Sequence, residues 1–159
     1  MSDKLSHINE NGQPTMVDVS VKAVTHRTAI AQSIVQLPDE VLDILSGDEL
    51  HSKKGPVFQT AIIAGIMAAK KTGELIPLCH PLGLDNCEIN IQWNDNREVV
   101  ITCTASLTAK TGVEMEALTG ASIAALTIYD MCKALSHNIV IKETRLIAKT
   151  GGKNDFRRH

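Results

Sequence analysis

Cys87-Glu-Ile-Asn-Ile-Gln-Trp93, followed after Asn94-Asp-Asn-Arg-Glu98 by Val99-Val-Ile-Thr-Cys-Thr-Ala-Ser-Leu107, is the stretch that decides the fold. Cys87, Ile89, Ile91 and Trp93 alternate with Glu88, Asn90 and Gln92; Val99, Ile101, Cys103, Ala105 and Leu107 resume the same period beyond Asp95-Asn-Arg97. A period of two puts one apolar and one polar face on each segment, and the turn residues between them predict an antiparallel hairpin.

The segments flanking this hairpin read differently. Val57 to Lys71 is rich in Ala and Ile, starts just after Pro56 and runs into Thr72-Gly73, which predicts a helix. Glu114 to Leu135 predicts a second helix, with acids in its first turn and small or apolar residues all round its middle. Arg27 to Leu37 and Ile139 to Ala148 read as the outermost strands. The order strand, helix, strand, strand, helix, strand predicts an α+β, ferredoxin-like βαββαβ sandwich, an antiparallel sheet with its helices on one face. Pro38 to Leu45 is expected as a short helix ended by Ser46-Gly47, and Asp48 to Gly55 as a polar loop. Residues 1–14 are expected as an arm and 15–159 as a single domain. The apolar content of the helices exceeds what one two-layer domain hides, which predicts a homo-oligomer.

Composition narrows the function classes. The 159 residues carry 16 Lys plus Arg against 18 Asp plus Glu, a formal charge of −2, so no general attraction to nucleic acid or membranes is expected and any anion site is local. Phe58, Trp93, Tyr129 and Phe156 are the only aromatics, too few for a base-stacking platform. The uncharged runs Gly55 to Ala69 and Ala117 to Tyr129 fall short of the roughly 20 residues of a membrane span. The first ten residues lack the apolar centre of a signal peptide, and a cytoplasmic protein is expected. Cys79, Cys87, Cys103 and Cys132 form no C-x-x-C pair and the six histidines no ligand spacing, so no structural metal is expected. No phosphate-binding glycine loop of a standard nucleotide fold occurs either.

Several residues nevertheless carry chemistry. Pro77-Leu-Cys-His-Pro81 presents His80 on a backbone stiffened by two prolines; Cys79 and His80, adjacent in an extended chain, point apart and make a poor nucleophile–base pair. Asp130 and Lys133, three positions apart in a stretch with no other charge from Ala117 to Leu135, face one way, and burying both would be costly unless they serve a site. Glu114 and Glu116 have a simpler account, as first-turn carboxylates that complement the helix dipole. Lys53-Lys54-Gly55, Lys70-Lys71, Lys110, Lys149 and Lys153 are candidate phosphate cations. Ala-Lys-Thr-Gly occurs at 109–112 and again at 148–151, each time just beyond a predicted strand.

Leu75-Ile-Pro-Leu-Cys-His-Pro81, Lys110-Thr-Gly-Val-Glu-Met-Glu-Ala-Leu-Thr119 and Ala124-Ala-Leu-Thr-Ile-Tyr-Asp-Met-Cys-Lys-Ala134 closely resemble the cyclic pyranopterin monophosphate synthase family, molybdenum cofactor biosynthesis protein C. Met16-Val-Asp-Val-Ser20, Arg27, Lys54-Gly55 and Lys149-Thr-Gly-Gly152 extend the resemblance over nearly the whole chain. It implies a lyase that converts cyclised dihydro-GTP into cyclic pyranopterin monophosphate with release of diphosphate. It further implies a homohexamer, a trimer of dimers with active sites at the dimer interfaces. No resident cofactor is implied, and any Mg²⁺ would come with the triphosphate. Position by position, the resemblance makes Asp130 and Lys133 catalytic, and Leu78, Cys79, His80, Glu114 and Met115 substrate contacts. Arg27, Lys54, Glu116 and Lys149 fall on further pocket positions, with Lys53 the alternative to Lys54. Asp130 would start as a base, with Lys133 or His80 as donor, while the acceptors of Glu114 and Glu116 suit the N–H groups of a guanine-derived base. A hydrolase built on Cys79 and a non-catalytic nucleotide-binding module are the rival readings.

Overall fold

The computed structural model describes residues 5–159; the first four residues of the expected arm lie outside the described residues. The alternating segments pair as expected: β5 (Asn86–Trp93) and β6 (Val99–Ala109) form the hairpin, with Ile89 opposite Cys103 and Ile91 opposite Ile101. β1 (Thr25–Gln36) lies antiparallel to β6 on one side and to β7 (Val140–Thr150) on the other. On the covered face Ala29, Ala31 and Val35 of β1 join Ile101, Cys103, Ala105 and Leu107 of β6 in the core. Ile30, Gln32 and Ile34 point to the opposite face and are only half-buried.

The two long helices, α2 (Val57–Lys70) and α4 (Glu114–Cys132), cover that core, which makes the four long strands and two helices the expected ferredoxin-like α+β sandwich. The helices meet at two glycines. A Cβ on Gly65 would collide with Ile89 Cδ1 and lie 2.8 Å from the Gly120 carbonyl, and one on Gly120 would lie 2.7 Å from Cys103 Sγ. Gly120 costs α4 about 1 kcal/mol of helix propensity relative to alanine; in return it lets α4 settle onto β6 and α2. Gly65→Ala is accordingly expected to destabilise the chain by roughly 1–3 kcal/mol, overpacking outweighing the propensity gain. A denaturant titration in which this variant equalled or exceeded wild type would show the crossing to be loose.

Three local expectations are corrected. The helix after Pro38 is a single turn, α1 (Asp39–Leu42), and the region read as a polar loop is a small antiparallel sheet of β2 (Leu45–Ser46), β3 (Glu49–Ser52) and β4 (Gly55–Pro56). Gly47-Asp48 is a two-residue hairpin turn joining Ser46 to Glu49, not the stop of a helix. α4 ends at Cys132, three residues early, because Leu135 N–H turns back to the Cys132 carbonyl in a tighter turn. The C-terminal tail contributes β8 (Phe156–Arg157) to the edge of β7, so the main sheet has five strands in the order β5-β6-β1-β7-β8. A short α3 (Thr72–Leu75) continues the chain beyond α2 and leads into the Pro77–Pro81 segment. No helix among the described residues is long and apolar enough to cross a membrane.

Candidate active site

The two Ala-Lys-Thr-Gly segments flank the start of β1, one at the end of β6 and the other at the end of β7. Arg27 Nε donates to the Ala109 carbonyl (3.2 Å) and Thr25 Oγ1 to that of Gly151 (2.6 Å), which ties both strand ends to β1. Gly151 turns there with φ +89°, and a Cβ would strike the His26 carbonyl. The repeats thus reach comparable places and then diverge: Lys110 Nζ bonds the Ser20 carbonyl at 3.0 Å, whereas Lys149 Nζ bonds Glu114 Oε1 at 2.9 Å.

α4 begins beside these strand ends, and a cavity of about 220 Å³ opens between them, lined by Lys22, Arg27, Lys149, Lys153 and Glu114. Its cations converge on one volume, an arrangement suited to a polyanion. An adjoining cavity of about 280 Å³ shares Lys22, Thr111, Gly112 and Glu114 with the first, and Leu78, Cys79, His80, Met115, Glu116, Val17 and Val19 are among its further walls. The result is one cleft with a cationic compartment and a more apolar one. Nine of the residues singled out in the sequence meet here: Arg27, Leu78, Cys79, His80, Glu114, Met115, Glu116, Lys149 and Lys153.

The two glutamates have opposite electrostatics. Burial alone would raise the Glu114 carboxyl, but the Lys149 hydrogen bond, its own backbone N–H and the charges of Lys149 and Arg27 outweigh it and hold it below the usual carboxylate value. Glu116, 3% exposed, is pushed up by burial and by the neighbouring Glu114 charge. The dipole-complement account of these residues is therefore incomplete, since one is an ion-pair partner and the other a buried acid. A carboxyl raised by folding stabilises the fold fully below its unfolded pKa and loses that contribution as pH rises through the folded value. Glu116→Gln is expected to raise the melting temperature at pH 7 and to leave it unchanged near pH 4. Equal shifts at both would assign the effect to packing.

Burial, with Glu116's charge adding to it, also pushes the Cys79 thiol up, which makes it a poor nucleophile and weakens the hydrolase reading. His80 Nε2–H donates to the Val17 carbonyl at 2.7 Å, so a proton passed by this ring would leave from Nδ1. That bond also pins the strand-free segment 15–24 over the apolar compartment. Lys22, on the same segment, was missed in the sequence because it lies in an irregular stretch and no periodicity marks it.

Asp130, Lys133 and Lys54 are elsewhere. Asp130 Oδ2 accepts from Lys54 Nζ at 2.9 Å and Oδ1 from Lys133 Nζ at 3.0 Å; Lys54, at the β3–β4 turn, and not Lys53, makes the contact. The Lys54 hydrogen bond first and the Lys133 bond second hold the Asp130 carboxyl below its ordinary value. Contrary to the expectation of buried ions, the side chains are 53% (Asp130), 52% (Lys54) and 50% (Lys133) exposed, because the pair sits where α4 ends and not in its covered middle. Glu114 and Asp130 occupy opposite ends of α4, about 24 Å apart along its axis. One chain therefore carries two separate clusters.

Comparison with known proteins agrees with the sequence motifs. The MoaC family matches residues 16–152. The cyclic pyranopterin monophosphate synthase of Xanthomonas oryzae pv. oryzae is 54% identical over 155 residues, covering 98% of this chain and 94% of its own. The Molybdenum cofactor biosynthesis bifunctional protein of Synechocystis is 56% identical over 154 residues, 94% of this chain, which spans 44% of that longer protein's length. Molybdenum cofactor biosynthesis protein 1 of Dictyostelium discoideum, 52% identical over 170 residues, is likewise longer, with 27% of it covered. With the family matched across both clusters and every long strand and helix, this chain belongs to the MoaC family.

Proposed function

We infer that this chain carries out the cyclic pyranopterin monophosphate synthase reaction of molybdenum cofactor biosynthesis, converting cyclised dihydro-GTP to cyclic pyranopterin monophosphate and diphosphate. The observation that carries the reading is the two-compartment cleft at the head of α4 in a chain of this family. Arg27, Lys149 and Lys22 take the triphosphate, neutralising the charge that the departing diphosphate gains. The apolar compartment takes the joined base and sugar, with Leu78, Cys79 and Met115 as walls, His80 as an oriented ring, and Glu114 and Glu116 reading the polar edge of the base.

Asp130, kept ionised by its two lysines, accepts a proton during ring opening, and Lys133 is the donor beside it. These groups must meet the cleft, yet α4 holds them about 24 Å from Glu114. We therefore propose that each site is completed by the tail of α4 and Lys54 from a second copy, with the homohexamer, a trimer of dimers, as the assembly. Exposed Ile63, Met67, Met115 and Leu126 on the helices supply apolar surface for such contacts.

The test is incubation of the purified protein with cyclised dihydro-GTP, following diphosphate and pterin product together. Release of both supports the reading. Tight binding without product would leave a nucleotide-binding module instead.

A further inference from the structure

α2 begins without a cap of its own. Pro56 stands at its N-cap position and offers no side-chain acceptor, so the first-turn N–H groups need a partner from elsewhere. Glu49, on β3, supplies it: Oε1 accepts from Phe58 N–H at 2.7 Å and Oε2 from Gln59 N–H at 3.0 Å, while Oε1 also accepts from Leu50 N–H at 2.8 Å. A carboxylate is well suited here, since the helix dipole favours negative charge at this end.

A local cap would fasten the helix to the preceding residue; this one fastens it to another strand. Between the two ends of the clamp runs a hairpin of two residue pairs, His51 with Pro56 and Ser52 with Gly55, whose turn is Lys53-Lys54. So short a ladder holds little by itself. Ser52 Oγ adds bonds to the Gly55 carbonyl (3.2 Å) and from the Lys54 N–H (3.1 Å), and both turn lysines are otherwise exposed. From this turn Lys54 Nζ reaches Asp130, contacting Oδ2 at 2.9 Å and the Asp130 carbonyl at 3.3 Å. The direction of that reach depends on the angle between β3 and the head of α2, which is what Glu49 fixes.

We propose that Glu49 is the positioning residue for Lys54, clamping β3 to the first turn of α2 so that the intervening hairpin delivers the ammonium to the Asp130 carboxylate. Its effect on turnover rests on the reading above, in which Asp130 is catalytic. Glu49→Ala removes all three acceptor contacts; Glu49→Gln keeps one carbonyl oxygen and lies between Ala and wild type. Loss of an ångström of positioning costs on the order of a hundredfold in rate, so the Ala variant loses ten- to a hundredfold in kcat. Its Asp130 carboxyl, with Lys54 no longer held against it, titrates at higher pH than in wild type.

The experiment measures both quantities on the full chain. Asp130 is followed by carboxyl ¹³C NMR, assigned by the resonance missing from Asp130→Asn, and kcat by diphosphate release. Ile101→Val, a mild core variant, controls for lost stability and moves neither. Expected is an upward Asp130 titration with reduced kcat, graded Ala beyond Gln; if the Ala variant does not fold, the Gln variant alone must show both changes. Wild-type titration in a folded Glu49 variant overturns the proposal, whether or not rate is lost. A shifted titration with wild-type kcat upholds the clamp and overturns its effect on turnover, leaving the catalytic reading of Asp130 to Asp130→Asn.

Discussion

Replacing Asp130 with asparagine is expected to lower diphosphate release by about a thousandfold, in the range typical for removing a general acid or base, while the melting temperature stays within a few degrees of wild type. Both halves of this result follow from the geometry. Asparagine is nearly isosteric but cannot take a proton, and it leaves the ammonium groups of Lys54 and Lys133 without their shared counter-charge. The ion pairs themselves are half exposed, and surface pairs of this kind contribute little to folding. A structural salt bridge would show the opposite pattern, with activity lost only as far as the fold is lost. Near-normal turnover in Asp130→Asn would remove Asp130 from the chemistry while leaving the cleft at the head of α4 untouched.

The second large effect tests where the two clusters meet. Arg27→Ala and Asp130→Asn, each inactive alone, are expected to regain about a quarter of wild-type activity when their subunits are dissociated, mixed in equal amounts and reassembled. In an isologous pair each mixed dimer holds one site with both defects and one with neither, and half of the dimers are mixed. Recovery of this size requires that a site draw its cationic compartment from one chain and its Asp130 from another. No recovery, with exchange of subunits verified by mass, would place a complete site within one chain and require α4 to be broken or bent.

Periodicity alone gave the hairpin, both long helices and the strands either side of them, because each buries one face and repeats that fact every two or every three to four residues. It could not mark β2, β3 and β4, whose two to four residues are too few to show a period, nor β8, which owes its place to bonds such as Arg158 N–H to the Ile147 carbonyl and to pairing with β7. The reading of Glu49 was lost with that small sheet, since a carboxylate that caps a helix from a neighbouring strand leaves no spacing rule in the sequence. The burial expected of the Asp130–Lys133 pair is contradicted by its half-exposed side chains, but its spacing, like His80 between prolines, was legible in the sequence. Glu114 and Glu116 were not, because the dipole alone accounts for acids in a first turn, and their difference arises only from Lys149 and from burial.

The Gly65–Gly120 crossing makes α4 a ruler as well as a wall. With its middle locked against α2 and β6, the helix cannot slide or rotate to absorb a change in its own length. Adding or deleting one residue between Gly120 and Asp130 would swing the carboxylate by about 100° and shift it by about 1.5 Å. If the same helix ends two symmetry-related sites, the error enters both. A change of length within α4 is thus expected to cost the site more than a substitution that keeps the helix its length.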